Sequence, residues 1–202
     1  QPESSAASDV YKRQNNKHYK NLNDLYVVSA AEINKLSGLK NNKSLVSVVH
    51  KKNQKKESID FSNLIIALDS VNDPGNLGTI IRIADWFNIK SIICSKNTVD
   101  LYNSKVIQSS MGSFSRVDVF YDNLEDVLDS KDISVFGTST DGVDINKFEK
   151  PDKGIILFGS ESQGVSEHLK KYVDKWISIK KNGAAESLNV SVSVGIILHK
   201  LT

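Results

Sequence analysis

The sequence predicts an α/β domain with a mostly parallel sheet and helices on both of its faces, and two observations support that prediction. From residue 60 onward, short apolar runs alternate with segments of helical periodicity. The apolar runs are continuous rather than alternating with polar residues, which is typical of strands that helices bury on both sides.

The predicted elements follow one another in regular order. Apolar runs predict strands at 64–68, 91–94, 117–121, 133–137, 155–159 and 176–179. Helical periodicity predicts helices at 78–87, 103–111, 123–129, 165–173 and 188–201. Most strands are therefore followed by a helix, the pattern of units that place their strands parallel.

The first 59 residues divide into three segments of different composition. Residues 1–19 are polar and lack core-forming side chains, so we interpret them as a disordered or foreign leader. Residues 20–50 contain one αβ unit, too short to be stable alone. The lysine- and asparagine-rich segment 51–59 is interpreted as a linker to the main domain at 60–202.

Within the short αβ unit, apolar stretches predict strands at 25–28 and 44–49. A helix is predicted between them at 30–36. Its start has Ser29 as the N-cap and Glu32 three residues later, an arrangement in which each side chain bonds the other residue's backbone.

Composition limits the function classes. The chain has 202 residues, of which 39% are hydrophobic and 25% charged, an ordinary balance for a globular protein. No apolar run reaches a membrane-spanning length, and the N-terminus lacks the pattern of a secretion signal. We therefore expect neither a membrane span nor secretion. Cys94, the single cysteine, can form no disulfide within the chain and is expected in the core. These features favour the cytoplasm.

Local charge leaves two interpretations open. The net charge is only +2, but lysines cluster at 51–56 and again at 170–181. Such patches can hold phosphate groups electrostatically. They can equally be solvated surfaces, which is how charge runs usually occur.

A glycine-containing stretch, DPGNLGTIIR at 73–82, connects the first predicted strand to a helix, and such turns often hold phosphate. It lacks the G-x-G-x-x-G pattern of dinucleotide-binding domains, and the chain has no G-x-x-x-x-G-K-[ST] loop. Both absences argue against a generic nucleotide-binding protein. The four histidines are scattered without metal-ligand spacing, so no metal site is predicted.

Three polar segments contain the candidate functional residues. Asn76 and Arg82 lie in the first, and Arg82 is one of three arginines against 23 lysines, which suggests a site that needs a planar fork for phosphate or carboxylate. Glu161 follows a predicted strand between two glycines, where ligands bind in open α/β sheets. Ser187 and Asn189 precede the last helix. Capping and helix-dipole roles would also explain these residues.

Taken together and in this order, the segments resemble the three motifs of the SpoU/TrmH family of RNA 2′-O-ribose methyltransferases, in the SPOUT superfamily. The first motif corresponds to 76–82, the second to 157–164 and the third to 187–191. The resemblance covers residues 60–202. It implies the family's fold, in which the C-terminal segment passes through a loop as a trefoil knot, a rare feature that periodicity alone does not indicate.

The resemblance implies S-adenosylmethionine as the cofactor, bound in the knot without a metal. By their positions in the motifs, Gly159, Ile179 and Leu188 are expected to contact it largely through backbone atoms. Thr138, which follows the predicted strand 133–137, is expected to line the same pocket.

The resemblance also implies a homodimer whose active site is shared across the interface. Arg82 would reach the partner's cofactor, hold an RNA phosphate and lower the pKa of the ribose 2′-hydroxyl electrostatically. Asn76, Glu161, Ser187 and Asn189 would orient Arg82 and the ribose by hydrogen bonds. The last helix, apolar nearly all round, is consistent with such an interface.

Two departures from the family pattern concern the cofactor loop and the substrate. The family usually has proline where this chain has Lys180, so the loop after Ile179 is expected to be less rigid. Relatives often carry a complete RNA-binding domain resembling ribosomal protein L30, of which residues 20–50 resemble only the last part. That remnant favours rRNA over tRNA as substrate. A non-catalytic RNA-binding module is the other alternative, and the complete set of motif residues argues against it.

Overall fold

The structure is a computed structural model that describes residues 26, 28–37, 46, 48, 50–51, 58–129 and 133–202. The chain divides into two compact units, Gln1–Lys52 and Asn53–Thr202. The leader predicted at 1–19 and most of the linker predicted at 51–59 lie outside the described residues.

In the first unit, helix α1 spans Ala30–Leu36 and begins with the predicted capping pair. The Ser29 N–H donates to Glu32 Oε2 at 2.8 Å, and the Glu32 N–H donates to Ser29 Oγ at 3.3 Å. The described residues of the strands predicted at 25–28 and 44–49 have no regular secondary structure, and the other residues of both lie outside the described part. Val48 is 97% exposed, so no packing supports a strand there.

In the second unit, six strands of the described residues form one sheet, and every pairing among them is parallel. The strands are β1 Leu64–Leu68, β2 Ser91–Ser95, β3 Asp118–Asp122, β4 Val135–Asp144, β5 Gly154–Phe158 and β6 Lys175–Ser178. Their order across the sheet is β3-β2-β1-β5-β4-β6. The predicted parallel α/β sheet is confirmed.

Helices cover both faces of this sheet. They are α2 Pro74–Trp86, α3 Ser104–Ser109, α4 Leu124–Asp129, α5 Glu167–Lys170 and α6 Val190–Leu201. Alternate residues of a strand point to opposite faces, so Ile66 of β1 packs in the cluster that contains residues of α2 and α6, whereas Ile65 packs with α4 and α5. Cys94 is buried in the core, as expected. No helix among the described residues has the length and apolarity to cross a membrane.

Helix α2 begins earlier than the predicted 78–87, because the glycine-containing stretch is its first turn rather than a loop. The Asp73 carboxylate caps the helix by accepting the Asn76 N–H at 2.9 Å, and Pro74 occupies the first helical position. A Cβ on Gly78 would lie 1.9 Å from Ser109 Oγ and 2.6 Å from the Val106 carbonyl oxygen. Gly78 is therefore required by the close approach of α2 and α3.

Strand β4 is longer than the predicted 133–137 and contains an interruption. Thr138 and Val143 both pair with Ile177 of β6, so residues 139–142 leave the ladder between them. A Cβ on Gly142 would lie 2.5 Å from the Ile177 carbonyl carbon, and Ser178 Oγ donates to the Gly142 carbonyl at 2.8 Å. The polar sequence of this excursion hid the second half of the strand.

Helix α5 is shorter than the predicted 165–173. After Lys170 the chain continues in three-residue turns, in which the Tyr172 N–H donates to the Leu169 carbonyl and the Val173 N–H to the Lys170 carbonyl. These bonds tighten the end of the helix and lead directly into β6. Tyr172 and Val173 keep the apolar spacing of a helix, but their hydrogen bonds span three residues instead of the four of an α-helix.

The direction of the chain across the sheet reverses at β1, whose neighbours are β2 on one side and β5 on the other. The chain moves outward through β2 and β3, then crosses to the opposite side for β4, β5 and β6. In open α/β sheets, ligands bind beyond the carboxyl ends of the strands near such a reversal. That edge is where the functional site is expected.

Replacing Gly78 with alanine is expected to destabilise the domain by about 1–3 kcal/mol, because the added methyl group overpacks the contact with α3. The expected clash outweighs the gain of about 1 kcal/mol that alanine normally gives inside a helix. Urea denaturation measures the difference. Gly195→Ala in α6 is the matched control, since its Cβ would meet only Ile83 Cδ1 at 3.7 Å. Equal stability of Gly78→Ala and the unmodified protein would contradict the packing explanation.

Candidate functional site

An open cleft of about 860 Å³ lies at the carboxyl ends of β4, β5 and β6. Its walls are the β4 excursion, the loop after β5, the loop after β6 and the first turns of α6. The four residues predicted to bind a cofactor all line it, namely Thr138, Gly159, Ile179 and Leu188. The fold therefore brings these four residues, which lie on three different stretches of the chain, to one cavity.

The loop after β5, residues 159–165, is called the Gly159 loop. The Ser160 N–H donates to the Gly164 carbonyl at 3.1 Å, and the Gly164 N–H donates back to the Ser160 carbonyl at 2.9 Å. A Cβ on Gly159 would lie 1.9 Å from the Gly164 carbonyl carbon. Glycine is needed at 159 because the loop closes on itself there, which also leaves a backbone edge without a side chain on the cleft wall.

The other predicted cofactor residues lie on the walls that β4 and β6 provide. Thr138 Oγ1 donates to the Leu157 carbonyl at 3.1 Å and so ties β4 to β5 just before the excursion. Ile179 is half-buried and packs against the main core cluster. Leu188 keeps an exposed apolar side chain in the cleft.

Three of the predicted catalytic residues form a chain of hydrogen bonds beside this cleft. Asn189 caps α6, because its Oδ1 accepts the Ser191 N–H at 2.9 Å. Asn189 Nδ2 donates to Asn76 Oδ1 at 3.0 Å, and Asn76 Nδ2 donates to Glu161 Oε1. Backbone donors at one end and a carboxylate at the other determine which way both amide groups face. We call these three residues the amide relay.

The amide relay occupies only one oxygen of the Glu161 carboxylate. Glu161 lines the cleft, and its Oε2 has no hydrogen bond to any described residue. Ser187 also lines the cleft and is exposed, likewise without a bond among the residues described. The site therefore offers a fixed carboxylate oxygen and a hydroxyl group to a ligand that can donate and accept hydrogen bonds.

Arg82 is not joined to the amide relay within one chain. It is six residues beyond Asn76 on α2, and at 3.6 residues per turn this separation places the two on different faces of the helix. Its side chain is exposed and has no hydrogen bond or ion pair in the described part of the chain. Among the described residues of one chain, Arg82 makes none of the hydrogen bonds through which the other motif residues were expected to orient it.

Arg116 differs from Arg82 because a carboxylate engages it. Its Nε and Nη2 donate to Asp85 Oδ2 at 2.9 and 2.7 Å, and Ser113 Oγ donates to the same oxygen at 2.8 Å. The Arg116 hydrogen bond, followed by that of Ser113, holds the pKa of the Asp85 carboxyl below its usual value. The ion pair with Asp85 gives Arg116 a structural role. Arg82 has no such partner among the described residues and is available to a ligand.

Sequence reasoning missed part of the cleft. Residues 139–141 line it because β4 opens there, and Trp176 and Lys170 contribute from β6 and α5. Lys180, at the position of the family proline, and Lys181 also line it, so with Lys170 three of the five lysines in the second cluster face the site. A break in the apolar pattern after Gly137 was the available signal. Within the described ranges, no cluster of histidine, cysteine and carboxylate residues could hold a metal ion.

Comparisons with known proteins agree on one family. A sequence profile described as the SpoU rRNA Methylase family matches residues 63–199. The 23S rRNA (guanosine(2553)-2′-O)-methyltransferase RlmP of Bacillus subtilis is 31% identical over 150 residues, which are 72% of this chain and 60% of RlmP. The chain thus spans less than two thirds of that relative.

Two crystal structures show the same architecture. An AdoMet-bound rRNA methyltransferase from Sinorhizobium meliloti superposes with a TM-score of 0.65 at 31% identity, over 70% of this chain and 56% of that one. The SpoU methyltransferase AviRb from Streptomyces viridochromogenes, in complex with AdoMet, gives a TM-score of 0.65 at 29% identity, over 71% and 61% of the two chains.

Removing the guanidinium with Arg116→Ala is expected to cost a small part of the unfolding free energy at neutral pH, because an exposed ion pair is screened by solvent. A carboxylate with a lowered folded pKa contributes stability above its unfolded pKa and loses it as the pH falls through the folded value. The cost should therefore shrink in acid. Urea denaturation at neutral pH and near pH 3 tests this, and an equal cost at both would contradict it. Lys170→Ala, which removes an exposed ion pair with Glu167, is the control.

Proposed function

The chain belongs to the SpoU rRNA methylase family, and we propose on this premise that it transfers a methyl group from S-adenosylmethionine to a ribose 2′-hydroxyl of 23S-type ribosomal RNA. One observation carries the proposal. The residues expected to bind the cofactor line a single cleft, beside a hydrogen-bonded chain made of residues expected to catalyse.

The cleft fits a cofactor of this kind. Its volume of about 860 Å³ is within the range of small-molecule sites. Ile179 and Leu188 offer apolar surface to an adenine ring, and Gly159 offers backbone without a side chain. We assign binding of S-adenosylmethionine to these residues together with Thr138. When bound, the cofactor supplies an electrophilic methyl group, and the reaction requires no metal ion.

Arg82 is proposed to hold a phosphate of the RNA. Its guanidinium has five N–H donors and no partner among the described residues. Lys180 and Lys181 on the cleft wall add positive charge toward a polyanionic substrate. The cleft and its rim thus combine an apolar pocket for a nucleoside with cations for a backbone.

The ribose hydroxyl is unreactive, and it must lose its proton to the solvent when its oxygen accepts the methyl group, so the protein must favour that loss. A guanidinium stays protonated, so Arg82 acts by lowering the pKa of the nearby hydroxyl through its positive charge. Glu161 and Ser187 orient the ribose through hydrogen bonds, while Asn76 and Asn189 hold Glu161. Because the transfer requires the hydroxyl oxygen in line with the methyl group, positioning supplies much of the rate.

A second copy of the chain is proposed to complete the site. α2 and α6 run side by side in the same direction, since Asn76 bonds Asn189 near their starts and the rings of Phe87 and His199 are 6.3 Å apart near their ends. Trp86 is 84% exposed next to this pair, and α6 exposes Val192 and Ile196. Exposed apolar residues on adjacent helices support an isologous interface, across which Arg82 would enter the partner's cleft.

The remaining family features are proposed for this chain as well. Residues after β6 would pass through a loop as a trefoil knot. The tight seating of Gly142 on β6 supports this, because it holds the β4 excursion against the strand that leads into α6. Residues 20–50 would be a partial L30-like RNA-binding domain, joined by 51–59 to a catalytic domain at 60–202. The cytoplasm is the proposed compartment.

The first test is calorimetric titration of the purified chain with S-adenosylmethionine and, separately, with NAD. Binding of S-adenosylmethionine alone is expected. Incubation with labelled cofactor and either 23S rRNA or tRNA then identifies the methyl acceptor, and 23S rRNA is expected to accept. Absence of cofactor binding would overturn the proposal, and methylation of tRNA alone would replace the proposed substrate.

Arg82→Ala is expected to abolish methylation while leaving the dissociation constant for S-adenosylmethionine nearly unchanged. Arg82→Lys keeps the charge but loses the planar fork, so it should retain only part of the activity. Mixing Arg82→Ala with Glu161→Ala subunits tests the shared site. If Arg82 acts in the partner's cleft, half of the dimers regain one intact site, and activity returns to about a quarter of normal. No recovery would show that Arg82 acts within its own chain.

A further inference from the structure

Asp69 holds both ends of the Gly159 loop. It follows β1 directly, and its N–H donates to the carbonyl of Phe158, the last residue of β5, at 2.8 Å. Its carboxylate Oδ2 accepts the N–H of Ser166, the first residue after the loop, at 2.8 Å. A single residue just after the neighbouring strand thus fixes where the loop leaves the sheet and where it enters α5.

The environment of Asp69 is unusual for a carboxylate. It is 3% exposed, and no ion pair with a lysine or arginine is present among the described residues. Its other oxygen accepts only the Ser70 hydroxyl, at 2.9 Å. Burying a carboxylate that has no cation costs more than burying an apolar side chain of similar size. The buried Asp69 carboxylate therefore points to a role other than packing in the core.

The bond from Ser166 also closes a ring through the site. Asp69 leads within seven residues to Asn76, which donates to Glu161 across the cleft edge. Glu161 leads within five residues to Ser166, which returns to Asp69. Asn76 and Glu161 are therefore both connected, through short stretches of chain, to the carboxylate of Asp69. A shift of the loop would move Gly159 and Glu161 together relative to α2.

We propose that Asp69 is a positioning residue, whose carboxylate holds the Gly159 loop in the shape that binds S-adenosylmethionine and presents Glu161 to the ribose. The inference rests on the proposed function, but it concerns a residue outside the three motifs. Asp69 does not line the cleft, so it acts through the loop and makes no contact with the cofactor.

The test measures the dissociation constant for S-adenosylmethionine by calorimetry in variants of the full chain. Asp69→Ala is expected to weaken binding about tenfold or more, because it removes a charge-assisted hydrogen bond. Asp69→Asn keeps an oxygen that can accept the Ser166 N–H and should recover most of the affinity. Ser166→Pro deletes the donor instead, and the φ of −56° at Ser166 lies within the range that proline adopts.

Asp174→Ala is the matched control. Asp174 also uses its N–H and its carboxylate, but both bond one residue at the amino end of the sheet: its N–H donates to the Val135 carbonyl at 2.9 Å and its Oδ2 accepts the Val135 N–H at 2.7 Å. Loss of that pair should lower the melting temperature without changing cofactor affinity. A purely structural role for Asp69 would give the same result.

The double variant with Asp69→Ala and Ser166→Pro tests whether the two residues act through the same hydrogen bond. If the Asp69–Ser166 bond positions the loop, the effects of Asp69→Ala and Ser166→Pro on affinity should not add, because each removes the same interaction. Additive effects, or an Asp69→Ala protein that binds as tightly as the unmodified chain, would overturn the inference while leaving the proposed function intact. Failure of the unmodified chain to bind would overturn the proposed function and this inference with it. If Asp69→Ala does not fold, Ser166→Pro and Asp69→Asn decide between the same outcomes.

Discussion

The side-chain amide of Asn76 joins three parts of the chain that the sheet alone would leave independent. It accepts from Asn189 at the start of α6 and donates to Glu161 in the Gly159 loop. An amide can do both from one planar group, whereas a carboxylate has no donor and an ammonium has no acceptor. The helix that begins the domain's first crossover, the loop after β5 and the last helix therefore share one polar contact, and the last two of these line the cleft.

Polar side chains must meet where these three parts of the chain come together, which explains why most of the site's polar residues lie at the ends of helices and strands. Asp73 caps α2 and so fixes the turn that carries Asn76, and Asn189 caps α6 with one atom while it bonds Asn76 with another. Capping and function are often treated as competing explanations for a polar residue at a helix start. For Asn189 both hold, because its oxygen and its nitrogen serve different partners.

Much of the fold was predictable, because strands buried on both faces read as continuous apolar runs and all six appear close to the predicted positions. The predicted boundaries of helices were wrong where local hydrogen bonds determine them, as at the capped start of α2 and the tightened end of α5. The interruption of β4 was hidden because residues 139–142 are polar, while the pairing of Val143 with Ile177 depends on a distant strand. The cleft residues were found through motif positions, but the amide relay was not, since its members are 85 and 113 residues apart.

Helix α6 supplies the last partner of this arrangement, and that has a consequence for how the domain is made. Every other described element precedes it along the chain, so Asn76 is synthesised 113 residues before Asn189, the residue that bonds its amide oxygen. The contacts that shape the site are also among the most distant in sequence, and such contacts form late because the intervening chain must first be ordered. A nascent domain would thus fold its sheet before it gains a competent cleft.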